Sequence, residues 1–180
     1  MEEVAAVTYE PQPGDIGLTQ IHGSVGLGIR IGQWLNGDGF ADYEHAFVVV
    51  GDVEGYDGPQ LIEAEPGGAR QMPLATYDTD TVVYLHCPQR CQDAVAAAAL
   101  ELIGTPYSFL DYGSLALHRL HIPAPLLKRY IRSTGHEICS QLADLASCRG
   151  GWHLFADDRW EGDVVPGDLL ALYREQEASA

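Results

Sequence analysis

Lysine is nearly absent from this chain: Lys128 is the sole lysine among 10 basic residues, set against 26 acidic ones. The balance, 10 − 26 = −16, argues against nucleic acid and anionic membrane surfaces as partners. Arginine and alanine are used in its place, a habit of GC-rich coding and not of mechanism. Long apolar runs are lacking too. The longest, Ala46 to Val50 and Ala94 to Leu100, fall far short of a membrane span. The opening MEEVAAVTYEP is acidic and too short in apolar run for a secretory signal, so the expectation is a cytoplasmic protein in the producing cell. Cysteine is scarce, with Cys87, Cys91, Cys139 and Cys148 only. Without a secretory signal, a Cys87–Cys91 disulfide is not expected. Metal binding at Cys87-x-x-x-Cys91 would need two more ligands, and only His86 stands nearby; no metal and no other cofactor is expected.

What is present reads as one domain. A length of 180 residues suits a single hydrophobic core, and the apolar fraction is ordinary. Residues 1–12 read as a loose lead-in and 13–175 as the domain. Pro13-Gly14-Asp15 marks a turn before a short strand, Ile16 to Thr19. Gly23, Gly26, Gly28 and Gly32 interrupt an apolar stretch, which makes a poor helix or a structured loop. His45 to Val50 is apolar on both faces and predicts a central strand. Gln60 to Ala64 returns, Ala69 to Met72 and Thr81 to His86 add further strands, and Gly/Pro-rich turns separate them. Val95, Ala98, Ala99 and Leu102 then fall at helical spacing, with Gly104 as C-terminal cap. Helices are also expected over 109–121, 124–132 and 138–148, and a short one after Pro166-Gly167 with Asp168 as cap. Strands first and helices later is the α+β pattern.

Two of these strands carry chemistry. If the 45–50 and 60–64 segments form an antiparallel hairpin, opposite positions have a constant sum. His45 opposite Glu63 gives 45 + 63 = 108, centring the turn on Glu54. His45, Phe47 and Val49 then share a face with Leu61 and Glu63. A carboxylate beside an imidazole orients the ring and stabilises its protonated form. Glu65 has the same parity and faces His45 in a register shifted by two; Pro66 after it signals the strand's end and favours Glu63. Cys139 stands where the 138–148 helix begins. There the helix dipole favours a thiolate, and unpaired N–H groups can receive an oxyanion. Cys148, at the far end, lacks that advantage. A histidine beside a glutamate is also a common structural pair, and a cysteine at a helix start a common core filler. It is the three together that point to chemistry.

His118 and His121 share a helical face, yet no acidic or cysteine partner matches them, so a zinc site is not expected. His136, three residues before Cys139, is the rival base, placed in a turn where solvation is expected. Trp152 and His153 read as loop packing.

The order histidine, acid, cysteine resembles the circularly permuted branch of the papain-like NlpC superfamily. That group includes YiiX-like proteins and lecithin–retinol acyltransferases. The similar pieces are Pro13-Gly14-Asp15-Ile16, His45-Ala-Phe-Val-Val-Val-Gly51, Leu61-Ile62-Glu63-Ala64, Gly104-Thr-Pro-Tyr107 and Ile138-Cys139-Ser140-Gln141-Leu142. The resemblance implies a papain-like fold of permuted NlpC type, with an antiparallel sheet packed on helices and the nucleophile at a helix N-terminus. It assigns Cys139 as nucleophile, His45 as base and Glu63 as orienting residue, with Tyr107 and Ser140 near the substrate or oxyanion. It implies a thiol hydrolase with an acyl-enzyme, cell-wall peptides as first substrate class, and lipid or other acyl substrates as second. The glycine-rich 23–34 stretch and the 105–135 region resemble versions from phages and high-GC bacteria, so virion association is a further expectation. The rival from another class is a binding or virion module on the same fold with a silent triad.

Overall fold

The computed structural model describes residues 9–20, 43, 45–65, 68–77, 81–105, 137–156 and 164–179, with the backbone alone of 137 and 138. The expected helices at 109–121 and 124–132, the glycine-rich 23–35 stretch, Tyr107, His118, His121 and His136 lie outside the described residues.

Five strands form one antiparallel sheet: β1 (Ile16–Thr19), β2 (His45–Asp52), β3 (Pro59–Glu65), β4 (Gly68–Pro73) and β5 (Val83–Leu85). Their order across the sheet is β4-β3-β2-β1-β5. β2 is central, as its apolar run on both faces predicts. The fifth expected strand is shorter than 81–86, because only Val83 to Leu85 pairs with β1. Among the described residues three helices follow: α1 (Gln92–Glu101), α2 (Glu137–Arg149) and α3 (Pro166–Ser179). The chain is therefore α+β. α3 is a full helix, not the short one expected, and runs past residue 175.

Side-chain alternation sorts the sheet into two apolar clusters. Ile16, Leu18, Ala46, Val48, Val50, Ile62, Ala64 and Leu85 meet the helices, which contribute Val95, Ala99, Cys139, Leu142, Ala146 and Leu169. Phe47, Val49, Leu61 and Tyr84 pack with Leu74 and Val82 in the second cluster. Each fully buried leucine or isoleucine here contributes roughly 1.5–3 kcal/mol. α1 and α2 come close because Gly150 has no side chain; a Cβ there would fall 2.5 Å from Val95 Cγ2.

Two polar residues tie the ends of the sheet. Asp15 is buried; its Oδ1 accepts the Cys87 N–H at 2.8 Å, and its Oδ2 accepts Tyr9 O–H at 2.6 Å and Gln12 N–H at 2.8 Å. Residues 9–12 are thus anchored and not loose. Gln176 of α3 donates to His86 O at 3.0 Å and accepts from His86 N–H at 2.8 Å. Its amide stands in for a neighbouring strand just past β5, at a sheet edge. Asp168 lies inside the first turn of α3 and accepts the Val165 N–H at 3.0 Å, the reach-back half of a capping box instead of the cap itself.

Candidate active site

β2 and β3 bring the first two site residues together, by a different pairing from the one expected. Phe47 stands opposite Glu63, Val48 opposite Ile62 and Val49 opposite Leu61, so the constant sum is 47 + 63 = 110 and not 108. Beyond Val49 the register shifts, with Gly51 opposite Gln60; one extra residue in β2 forms a bulge. Continued outward, the pairing puts Glu65 across from His45, with Glu63 diagonal to it. Parity is unaffected by a shift of two, so His45 and Glu63 still share a face. Diagonal neighbours are within reach of long side chains. Glu63 uses that reach: its Oε2 lies 2.8 Å from His45 Nε2.

Glu63 is 1% exposed and carries three partners. The Tyr77 hydroxyl donates to Oε2 at 2.5 Å, and Arg70 donates to Oε1 through Nε at 2.8 Å and Nη2 at 2.6 Å. Burial pushes this carboxyl up, but hydrogen bonds from His45, Tyr77 and Arg70 outweigh it and lower it to about 2. A buried carboxylate is stable only when so paired.

Cys139 enters from the first turn of α2 beside the His45 ring, close enough for the two groups to interact electrostatically. Nε2 is the ring nitrogen engaged by Glu63. Burial of the ring, which is 2% exposed, disfavours its charged form. The influence of Cys139, with the charge and hydrogen bond of Glu63, prevails and raises His45 to about 10. A ring so held takes a thiol proton readily. Cys139 itself is fully buried.

Ser140 is also fully buried, and its hydroxyl donates to Val164 O at 2.7 Å. That ties α2 to the segment leading into α3. The N–H groups of a helix's first turn have no intrahelical acceptor, so this turn can receive an oxyanion without the serine side chain. Glu65 approaches Arg70 Nη2 at 3.5 Å.

His45, Glu63 and Glu65 also form a cluster with ligand-type atoms within 4.8 Å of one another. Arg70 already sits on both carboxylates, so this is an ion-pair network whose cation is a guanidinium. The remaining thiols are elsewhere. Cys87 and Cys91 are buried, their Sγ atoms 3.7 Å from Pro88 O and Gly151 O. Burial, Cys91 and Asp15 push the Cys87 thiol up to about 12, which suits a neutral core thiol. Half-buried Cys148 lies 3.7 Å from Nδ1 of exposed His153, and Trp152 packs on the core.

Arg70 and Tyr77 were not expected from the sequence. Arg70 was within reach of it: a turn centred between residues 66 and 67 gives 63 + 70 = 133, the observed pairing of Glu63 with Arg70. Tyr77 follows a 3₁₀ turn over Leu74–Thr76 and had no such signal.

No family model, curated protein or solved structure matches this chain.

Proposed function

We propose that this protein is a thiol hydrolase, an amidase or peptidase of the permuted papain-like kind, acting through Cys139, His45 and Glu63. The observation that carries the reading is one buried contact chain across three elements. A thiol at a helix start lies beside an imidazole on the central strand, and a carboxylate on the next strand holds that ring through Nε2. In this reading the Cys139 proton passes to His45. Sγ attacks the carbonyl carbon of an amide, and the first turn of α2 receives the oxyanion. The C–N bond breaks as His45 returns the proton to the leaving nitrogen. Water, deprotonated by His45, then attacks the thioester, releasing the acid and restoring the thiol. Glu63 stays ionised throughout and keeps the ring oriented. The resemblance supplies the substrate class, peptides of the bacterial cell wall. Transfer to a different acceptor, as in an acyltransferase, would share the same acyl-enzyme.

The test is to trap that intermediate. The full chain is treated with an activated acyl ester and its mass followed, with the acylated peptide then mapped. The reading expects one acyl group on Cys139 that is released by hydroxylamine and is missing from the His45→Ala variant. A chain that never acylates, or acylates on another residue, is the silent module and not a hydrolase.

A further inference from the structure

His45 has two carboxylates to choose from. The β2–β3 pairing, extended by two residues, satisfies 45 + 65 = 47 + 63 and puts Glu65 directly across from the ring. One ligand-type atom from each of His45, Glu63 and Glu65 falls within a 4.8 Å cluster. Strand geometry alone therefore favours the nearer, cross-strand Glu65. The bond nevertheless goes to the diagonal Glu63.

The two glutamates differ in what else holds them. Both oxygens of Glu63 are engaged apart from the histidine: Arg70 takes Oε1 with two nitrogens, and Tyr77 takes Oε2, the same oxygen that meets His45. Arg70 is aimed by its place opposite Glu63 on β4. Tyr77 is aimed by its ring, which stacks on Phe47 with centroids 5.0 Å apart and planes 3° from parallel. Glu65 is 35% exposed and has one longer contact, to Arg70 at 3.5 Å.

We propose that Arg70 and Tyr77 are positioning residues that select Glu63 over Glu65 as the partner of His45. Their catalytic meaning rests on the thiol-hydrolase reading; the selection itself does not. The physical reason is desolvation. A buried carboxylate keeps its charge only while its lone pairs are filled. Arg70 and Tyr77 fill them, so Glu63 remains a fixed anion beside the ring. Take those donors away and Glu63 is an under-satisfied buried charge, whereas Glu65, partly in water, is the less costly partner. Arg70 supplies two nitrogens in a fixed fork, a geometry lysine cannot reproduce.

The test reads the His45 ring directly. Histidine ring ¹⁵N–¹H resonances of the full chain are recorded in native and Arg70→Met/Tyr77→Phe backgrounds, each with Glu63→Gln or Glu65→Gln added. In the native background Glu63→Gln should move the His45 Nε2 signal and Glu65→Gln should not. In the doubly substituted background the dependence should pass to Glu65. If it stays with Glu63 there, or if Glu65→Gln already moves the signal in the native chain, the proposal is overturned. Should the double variant fail to fold by circular dichroism, Arg70→Lys and Tyr77→Phe are compared singly. Partial transfer to Glu65 is then expected, and none in either variant overturns the idea. Alkylation of Cys139 is followed in parallel and should slow at least tenfold in Arg70→Met, a change of about 1.4 kcal/mol in barrier. A native Cys139 that proves unreactive removes the hydrolase reading, while the ring resonances still decide the selection.

Discussion

Glu63 stands across the sheet from Phe47, yet its carboxylate reaches diagonally to His45, with Oε2 and Nε2 2.8 Å apart. The diagonal is long for a cross-strand pair, and it is the long glutamate side chain that closes it. Phe47 takes part indirectly: its ring supports Tyr77, whose hydroxyl meets the same oxygen. The imidazole is thus held by a strand backbone on one side and a fixed anion on the other.

That fixation separates His45 from His136 as the base for Cys139. His136, expected from the sequence to lie in a solvated turn, would lose side-chain entropy on being fixed in place. His45→Ala should abolish fast alkylation of Cys139. His136→Ala should change it less than about tenfold, worth roughly 1.4 kcal/mol of barrier. Circular dichroism of both variants, taken before rates are compared, checks that each is folded. A silent thiol in His136→Ala with normal rates in His45→Ala would make His45 a structural residue of β2.

The same pair sets the pH dependence of stability. Glu63 is lowered from 4.5 to about 2 in the folded chain, so its contribution is present above pH 4.5 and is lost as pH falls towards 2. His45 is raised from 6.5 to about 10. Its contribution is full below pH 6.5 and is lost as pH rises towards 10. The two windows overlap between 4.5 and 6.5, where the pair stabilises most. Tm measured across pH should fall on the alkaline side of this window in the native chain. That alkaline fall should flatten in His45→Asn. Parallel curves for both proteins would mean the ring does not titrate as described.

Gly17 makes room for the Phe47 ring on the neighbouring strand. A Cβ at Gly17 would sit 2.2 Å from Phe47 Cζ, and Phe47 is fully buried, so the ring cannot move without displacing its neighbours. Gly17→Ala should cost about 1–3 kcal/mol as an overpacking substitution. For a chain of this size each kcal/mol lowers Tm by about 2–4 °C. Because Tyr77 stacks on the same ring, the variant should also slow Cys139 alkylation. A Tm equal to the native value would show that the ring moves aside freely.

Much of this was legible in the sequence, for reasons that can be named. Alternation in His45 to Val50 and Gln60 to Ala64 set the faces, and a shift of two residues leaves faces unchanged. That is why Glu63 was found despite the mistaken sum. The register was not legible, because nothing in Gly51 to Pro59 reveals which residues turn, and the bulge after Val49 adds one residue to β2 alone. Arg70 was readable from the centre of the next turn. Tyr77 was not, since its place depends on stacking against Phe47, a tertiary contact with no local signature. The same holds for Gln176, whose amide finds the His86 backbone 90 residues away in sequence. Nor could the sequence show that the Ser140 hydroxyl donates to Val164 O, 24 residues away.

The most direct test of the central claim is the rate at which each of the four thiols reacts with a small alkylating reagent. Exposure and chemistry predict opposite orders here. Cys139 is 0% exposed, Cys87 and Cys91 are each 5% exposed, and only Cys148 is half-buried. If access governed, Cys148 would label first and Cys139 last. If Cys139 shares its proton with His45 at the start of α2, it should lead, and its lead over Cys148 should widen between about pH 8 and 5 as ordinary thiols fall silent. Rates come from mass mapping of all four cysteine peptides in one sample. Cys139 fastest, with the advantage gone in His45→Ala, is the predicted result. Cys148 or Cys91 leading at every pH, with His45→Ala indistinguishable from native, would contradict the account.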